Sequence, residues 1–349
     1  MFKRFIKPLL SLFAACLLWQ SSSFALQFYQ INHIYFFGDS LSDSGFNDLW
    51  PTVGNPPFLP PLPPGKAPTF TTFRGYIWSQ YIAHDIKGIT LPVYPGPTPG
   101  DVITNNSCCV VPGFSSGTLN GFDYAAGGST TAGPGFMETW APSLYKQVQT
   151  FLTTPNRVVY PNDVFFIWEG ANDILTTLLV TNSLPALLQT AQTAAANIAI
   201  DVYALSRAGA QRFVIMSLPN IGRAPLITVM EDPVTVGQVK NLSFTFDGML
   251  NQALGLIPGR QNLKIVYVNV YTLLDTVIDF SNAGKPYYVL GQPFLFTNTK
   301  DPVCGFTTPA VYCTSGSNGY IFADLLHPTD TAHRLISLQV ETAILTKLK

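Results

Sequence analysis

Four short runs rich in aromatic and β-branched residues constrain this chain more than anything else in it: residues 31–37, 164–168, 212–217 and 263–271. Each is the length of a buried strand, and Gly38 and Pro219 punctuate the first and third. Between and after them lie stretches of helical character, at 184–208, 234–256 and 329–349, with a shorter one at 76–85. Strands that alternate with helices predict a parallel sheet covered by helices on both faces, an α/β fold. Two kinds of segment break the alternation. Residues 51–68 hold eight prolines in eighteen positions, which excludes helix and central strand. Residues 91–131, full of Gly, Pro, Ser, Thr and Asn, read as an irregular insertion with short strands, and 286–319 as a second irregular stretch. No internal repeat or charged linker divides the chain, so one domain with loop insertions near 51–68, 91–131 and 286–319 is expected.

The N-terminus has the pattern of a secretory signal peptide. Lys3, Arg4 and Lys7 precede an apolar run at 8–19, too short to span a bilayer, and Ser23-Phe24-Ala25 offers small residues at a cleavage site. Cleavage after Ala25 is expected, which leaves residues 26–349 as a secreted or periplasmic chain. Only 11% of the residues are charged, against about 25% in ordinary soluble domains. The formal net charge is −1, so there is no electrostatic footprint for nucleic acid. Export permits disulfides. Cys304 and Cys313 bracket a short loop and form the easiest pair to close; the pairing of the neighbours Cys108 and Cys109 is left open. The paired-cysteine spacing of zinc ribbons is absent, and with four histidines in the chain neither a metal nor another cofactor is expected.

In a parallel α/β sheet, ligands bind at the carboxyl ends of the strands. The polar motifs fall there. Gly38-Asp39-Ser40-Leu41-Ser42-Asp43 follows the first strand and offers Ser40 as a nucleophile, which needs a base to take its proton. His327 lies in Asp324-Leu325-Leu326-His327-Pro328, where a carboxylate three residues before the imidazole can hold its tautomer. His33, His84 and His333 have no such ready partner. Oxyanion donors are offered by Gly127-Gly128 and by Gly170-Ala171-Asn172-Asp173 after the second strand. Each block alone is also a good turn or cap sequence. A competing Gly-x-Ser-x-Gly pattern at Gly113–Gly117, centred on Ser115, follows Pro112 directly and lacks the strand and helix that such an elbow requires.

Taken in order, the four blocks at 37–43, 124–128, 170–173 and 324–328 resemble those of the GDSL lipase/esterase family, the SGNH hydrolases. The resemblance runs from about residue 34 to the C-terminus. It implies a flavodoxin-like three-layer α/β/α sandwich with a central parallel sheet. It also implies catalytic roles for Ser40, Asp324 and His327, and an oxyanion hole from the Ser40 N–H, Gly128 (or Gly127) and Asn172. The first two blocks look most like the bacterial secreted phospholipase A and glycerophospholipid–cholesterol acyltransferase branch. That branch implies a lipid ester substrate, acyl transfer to a sterol, peripheral contact with membrane lipid, and a disulfide-bracketed loop cut by an activating protease. Its Asp-Ser/Thr-Gly-Asn is interrupted here by Phe46, between Gly45 and Asn47. A carbohydrate O-acetyl esterase of the same fold and a non-catalytic surface-binding protein are the other readings.

Overall fold

The structure of the protein is a computed structural model, which describes residues 28, 30–45, 69–88, 121–136, 141–230 and 232–348. The expected leader, the proline-rich segment 51–68, Cys108, Cys109 and Ser115 lie outside these residues.

Five strands form the central sheet: β1 (Ile34–Gly38), β2 (Gly121–Asp123), β3 (Val164–Trp168), β4 (Arg212–Met216) and β5 (Lys264–Val268). All pairings are parallel, in the order β2-β1-β3-β4-β5. The near-continuous apolar strands bury both faces, and successive side chains go to opposite layers. Phe36, Phe166, Trp168, Val214, Met216, Val266 and Val268 join one core. That core is completed by α1 (Trp78–Lys87), α7 (Val270–Asn282) and α8 (Asp330–Lys347). Tyr35, Phe37, Phe165, Ile167, Phe213 and Ile215 join the other. There they meet α2 (Leu144–Thr153), α3 (Ala171–Val180), α4 (Leu184–Arg207) and α6 (Pro233–Gly255), with the short α5 (Pro225–Met230) at the rim. Both cores hold fully buried aromatic side chains, each worth about 1.5–3 kcal/mol of burial. The expected three-layer α/β/α sandwich is the observed architecture.

Helix starts follow local chemistry. Ser143 caps α2 and Asp232 caps α6, whose first residue is Pro233; Thr329 caps α8 through the Ala332 N–H. Three expectations change. The run 263–271 is two elements: β5 ends at Val268, and the Asn269 side chain accepts from Thr272 N (2.7 Å) to start α7. Apolar character continues through both, so composition hides the boundary. Gly170-Ala171-Asn172-Asp173 is the entry into α3, with Gly170 as its left-handed cap. Residues 286–319 are not simply irregular. A hairpin of β6 (Tyr287–Val289) and β7 (Gln292–Phe294) turns at Leu290-Gly291, and β8 (Asn298–Pro302) pairs in parallel with β9 (Tyr320–Phe322). Strands of three residues are too short to print a period-two pattern among glycines and prolines.

The strand order reverses direction of winding at β1 and β3. In open α/β sheets, ligands bind beyond the carboxyl ends of the strands at this crossover.

Candidate active site

Ser40 stands two residues past β1. Gly38 must be glycine: a Cβ there would lie 2.1 Å from the Trp168 carbonyl oxygen on β3, and its φ is +150°. Gln147 of α2 grips the same residue from both sides. Its Oε1 accepts from Gly38 N (2.9 Å), and its Nε2 donates to the Gly38 oxygen (2.8 Å). The chain then turns sharply, with Ser42 N and Asp43 N both donating to the Asp39 carbonyl (3.0 Å). This turn sets Ser40 on the rim of the sheet.

From the opposite side, β9 delivers Asp324 and His327. His327 Nε2 lies 2.8 Å from Ser40 Oγ. Its Nδ1 lies 2.8 and 2.9 Å from the two Asp324 carboxylate oxygens. Asp324 also accepts backbone N–H bonds from Leu326 (2.8 Å), His327 (2.7 Å) and Ala310 (2.6 Å). Burial pushes the Asp324 pKa up, but the neighbouring imidazole and the N–H donors outweigh it and hold it below the ordinary carboxylate value. The Phe70 ring lies over the imidazole at 4.9 Å between centroids. The other histidines sit elsewhere: His33 bonds Asp163, and His84 bonds Asp85. His333 is buried in α8, where desolvation, assisted by His327, pushes its pKa down to about 3.

The candidate donors lie on the helix entry that follows β3 and on the 126–129 turn, and one side-chain bond joins the two. Asn172 is buried in the first turn of α3, and its Nδ2 donates to the Ser129 carbonyl (2.7 Å). An amide nitrogen has two hydrogens, so one remains for a ligand. The bond also ties Asn172 to the glycine pair. Gly127 and Gly128 then divide. The Gly127 N–H is spent on Asp43 Oδ2 (2.7 Å), whereas the N–H groups of Gly128 and Ser40 have no protein acceptor among the described residues. The structure thus separates the two candidates: Gly128 keeps its donor and Gly127 does not.

Behind the serine lies a buried carboxyl cluster of Asp39, Glu169 and Asp173. Burial raises Asp39 to about 7. It raises Glu169 well above its usual value, with Asp39 and Asp173 adding to the shift. Asp173 is raised by burial too, and accepts from the Thr131 N–H and hydroxyl. No cluster of three metal-ligating side chains occurs among the described residues.

The cleft over Ser40 encloses about 800 Å³, its open mouth included. Leu175, Ile221, Ala224, Leu274, Ile278 and Phe322 make most of its wall apolar. One corner is polar: Arg223 Nε bonds Asp275 (3.0 Å), which also accepts from Asn220 Nδ2 (2.9 Å).

Residues 34–340 match the family model for GDSL-like lipase/acylhydrolase. The chain belongs to this family. Membership makes it a carboxylic ester hydrolase. A GDSL esterase/lipase from Arabidopsis thaliana is 26% identical over 331 residues, covering 88% of this chain and 86% of the relative. A second Arabidopsis GDSL esterase/lipase is 26% identical over 329 residues, 88% of each chain. The anther-specific proline-rich protein APG of Brassica napus is 23% identical, covering 86% of this chain and 69% of its own. A crystallised GDSL-like lipase of Parabacteroides merdae aligns over 90% of this chain and 95% of its own, with 11% identity and a TM-score of 0.38. The Arabidopsis and Brassica relatives are plant proteins, so they do not place the chain in the bacterial phospholipase and acyltransferase branch.

Several residues of this GDSL hydrolase carry the site without having stood out in the sequence. Asp43, inside the first motif, holds the second through Gly127 N and also accepts from Gly45 N (2.8 Å). Its place in the motif was the available signal. Gln147, Phe70 and Ala310 act through position in space and had none. Cys304 and Cys313 are joined by a disulfide, Cα to Cα 5.4 Å, as expected.

Proposed function

We propose that the protein is a secreted hydrolase of lipid acyl esters, a phospholipase A or lysophospholipase, acting through an acyl-enzyme on Ser40. The observation that carries the chemistry is the continuous chain Ser40 Oγ, His327, Asp324, with bonds of 2.8–2.9 Å. As Ser40 Oγ attacks the ester carbonyl carbon, its proton passes to His327 Nε2. Asp324 holds the Nδ1 tautomer and stabilises the imidazolium. The charge on the carbonyl oxygen is met by the N–H groups of Ser40 and Gly128 and by the Asn172 amide. His327 then gives the proton to the leaving alcohol as the carbon–oxygen bond breaks. Water, activated by His327, releases the acid; a sterol hydroxyl in place of water would give acyl transfer.

Two features support a lipid substrate. The cleft wall is apolar, which suits an acyl chain better than a sugar. The second feature is the rim. Helices α4 and α6 pack against each other and end where β4 and β5 begin. With 24 and 23 residues they are about 35 Å long, against about 17 Å for a five-residue strand, so their first turns stand beyond the catalytic edge. Leu179, Val180 and Leu184 near one start, and Val229 and Val234 near the other, are exposed. No charged residue occurs from 174 to 200. Such a rim fits peripheral contact with a neutral or zwitterionic lipid surface. Secretion through the leader at 1–25, with one domain following, is in keeping with the Cys304–Cys313 bond.

Product analysis with defined phosphatidylcholine tests the reading. Release of long-chain fatty acid, lost in Ser40→Ala, is expected. Acetate release from acetylated sugar without fatty acid release would replace it with the carbohydrate esterase reading. Serine substitution of Leu179, Val180 and Val229 together is expected to lower vesicle hydrolysis while sparing a soluble short-chain ester.

A further inference from the structure

The Ala310 N–H that Asp324 accepts lies inside the loop closed by Cys304 and Cys313. The loop is anchored at its first cysteine, where Cys304 N donates to the Ala323 carbonyl (2.9 Å), the residue beside Asp324. One residue earlier, Val303 N donates to the Phe322 carbonyl (3.0 Å). At its far end, a single helical turn at Ala310–Tyr312 fixes Ala310 to the second cysteine, with Cys313 N donating to the Ala310 carbonyl (3.0 Å). Ala310 and Cys313 are both fully buried. A closed ring results. It runs from Asp324 through Ala323 to Cys304, across the disulfide to Cys313, back along the turn to Ala310, and into the Asp324 carboxylate. None of the residues from 303 to 313 lines the cleft.

We propose that the Cys304–Cys313 disulfide is a positioning element for Asp324: it holds the Ala310 N–H on the carboxylate that orients His327. Opening the bond leaves Ala310 held through main chain alone, by the stretch around the exposed Phe306 on one side and by the residues leading to β9 on the other, so the carboxylate's donor is less firmly fixed. A hydrogen bond to a charged group contributes about 1.5–3 kcal/mol, which corresponds to roughly 10-fold or more in rate when it serves the transition state. Opening the loop therefore lowers kcat and leaves KM in place. The proposal rests on Asp324 as the partner of His327.

The test uses the double variant Cys304→Ser/Cys313→Ser and the wild type treated with a dithiol. The dithiol gives up two hydrogens to become a cyclic disulfide, and Cys304 and Cys313 each gain one. Active sites are counted with a fluorophosphonate, so that partial unfolding lowers the count and not the rate per site. The expected result is a fall of about 10-fold in kcat per titrated site, with KM unchanged and no further effect of dithiol on the double variant. Unchanged or increased kcat per site overturns the proposal, and an increase is what loop opening by an activating protease would give. Should the variant not fold, the dithiol arm decides on the folded wild type. Asp324→Asn runs alongside: if it retains full kcat, the underlying role of Asp324 fails; if it is inactive while the opened loop is fully active, only the disulfide's role fails.

Discussion

Asp324 and Glu169 are both buried carboxyl groups at the catalytic end of the sheet, 6% and 1% exposed, yet their surroundings drive them in opposite directions. Asp324 accepts three backbone N–H bonds and the His327 imidazole. Glu169 accepts one backbone N–H, from Gly170 (3.1 Å), with the Ser129 hydroxyl nearby and two further carboxyl groups for neighbours. Burial favours the neutral acid at both sites. At Asp324 the His327 imidazole, with the N–H donors, reverses that preference and favours the anion. The neighbours' charge, an imidazole beside Asp324 and carboxyl groups beside Glu169, together with the backbone donors, and not depth alone, sets the direction at each site. The negative charge stands on the side of the serine where the His327 imidazole lies, and burial shifts the cluster behind the serine toward its protonated forms.

That contrast can be broken by substitution. Ser40→Ala removes the attacking atom and is expected to abolish turnover in any ester assay. Asp324→Asn keeps the shape but disturbs the tautomer, with an expected loss of about 10⁴ in kcat. Asn172→Ala removes one oxyanion donor and should cost about 10²–10³ in kcat, with a smaller change in KM. Glu169→Gln mimics the protonated acid, and kcat/KM should stay within about threefold of wild type, well below the cost of an oxyanion donor. Activity as low as that of Asp324→Asn would show that Glu169 works as an anion.

The smallest effect is on stability. Glu169 has a folded pKa above its unfolded value, so its contribution is fully present at low pH and is lost as pH rises from about 4.5 upward. Glu169→Gln is therefore expected to raise Tm by about 2 °C at pH 8 and by less at pH 5. Asp324 has the opposite sign: its contribution is present above about pH 4 and is lost as pH falls through its lowered folded value. Melting curves of the two variants across this range separate the two behaviours.

Much of the architecture was legible in order along the chain. The strand at 164–168 and the helix beginning at 184 could be placed because their residues report burial directly: five consecutive apolar side chains, or a long Ala- and Leu-rich stretch behind a proline. Ser40, Asn172, Asp324 and His327 were legible because they sit at strand ends and near each other in short motifs. The elements that escaped notice failed for identifiable reasons. In α7 the apolar run continued from β5 without a break, β6 and β7 were too short for a period to emerge, and β8 (Asn-Thr-Lys-Asp-Pro) has no apolar run to mark it.

The sequence by itself determined the alternation of strands and helices, the positions of the four polar blocks, and the pairing of Asp324 with His327, because each depends on residues close together in the chain. Its residues left Gly127 and Gly128 open as donors, and Gly128 was preferred through the family resemblance alone. Only the fold told them apart, since Asp43, 84 positions away, takes the Gly127 N–H. The fold also brought Ala310 to Asp324 and Phe70 to His327, and it set the protonation of Glu169 against that of Asp324. Each of these rests on which donors and acceptors meet in space inside a low-dielectric interior, a property of packing that local sequence does not carry.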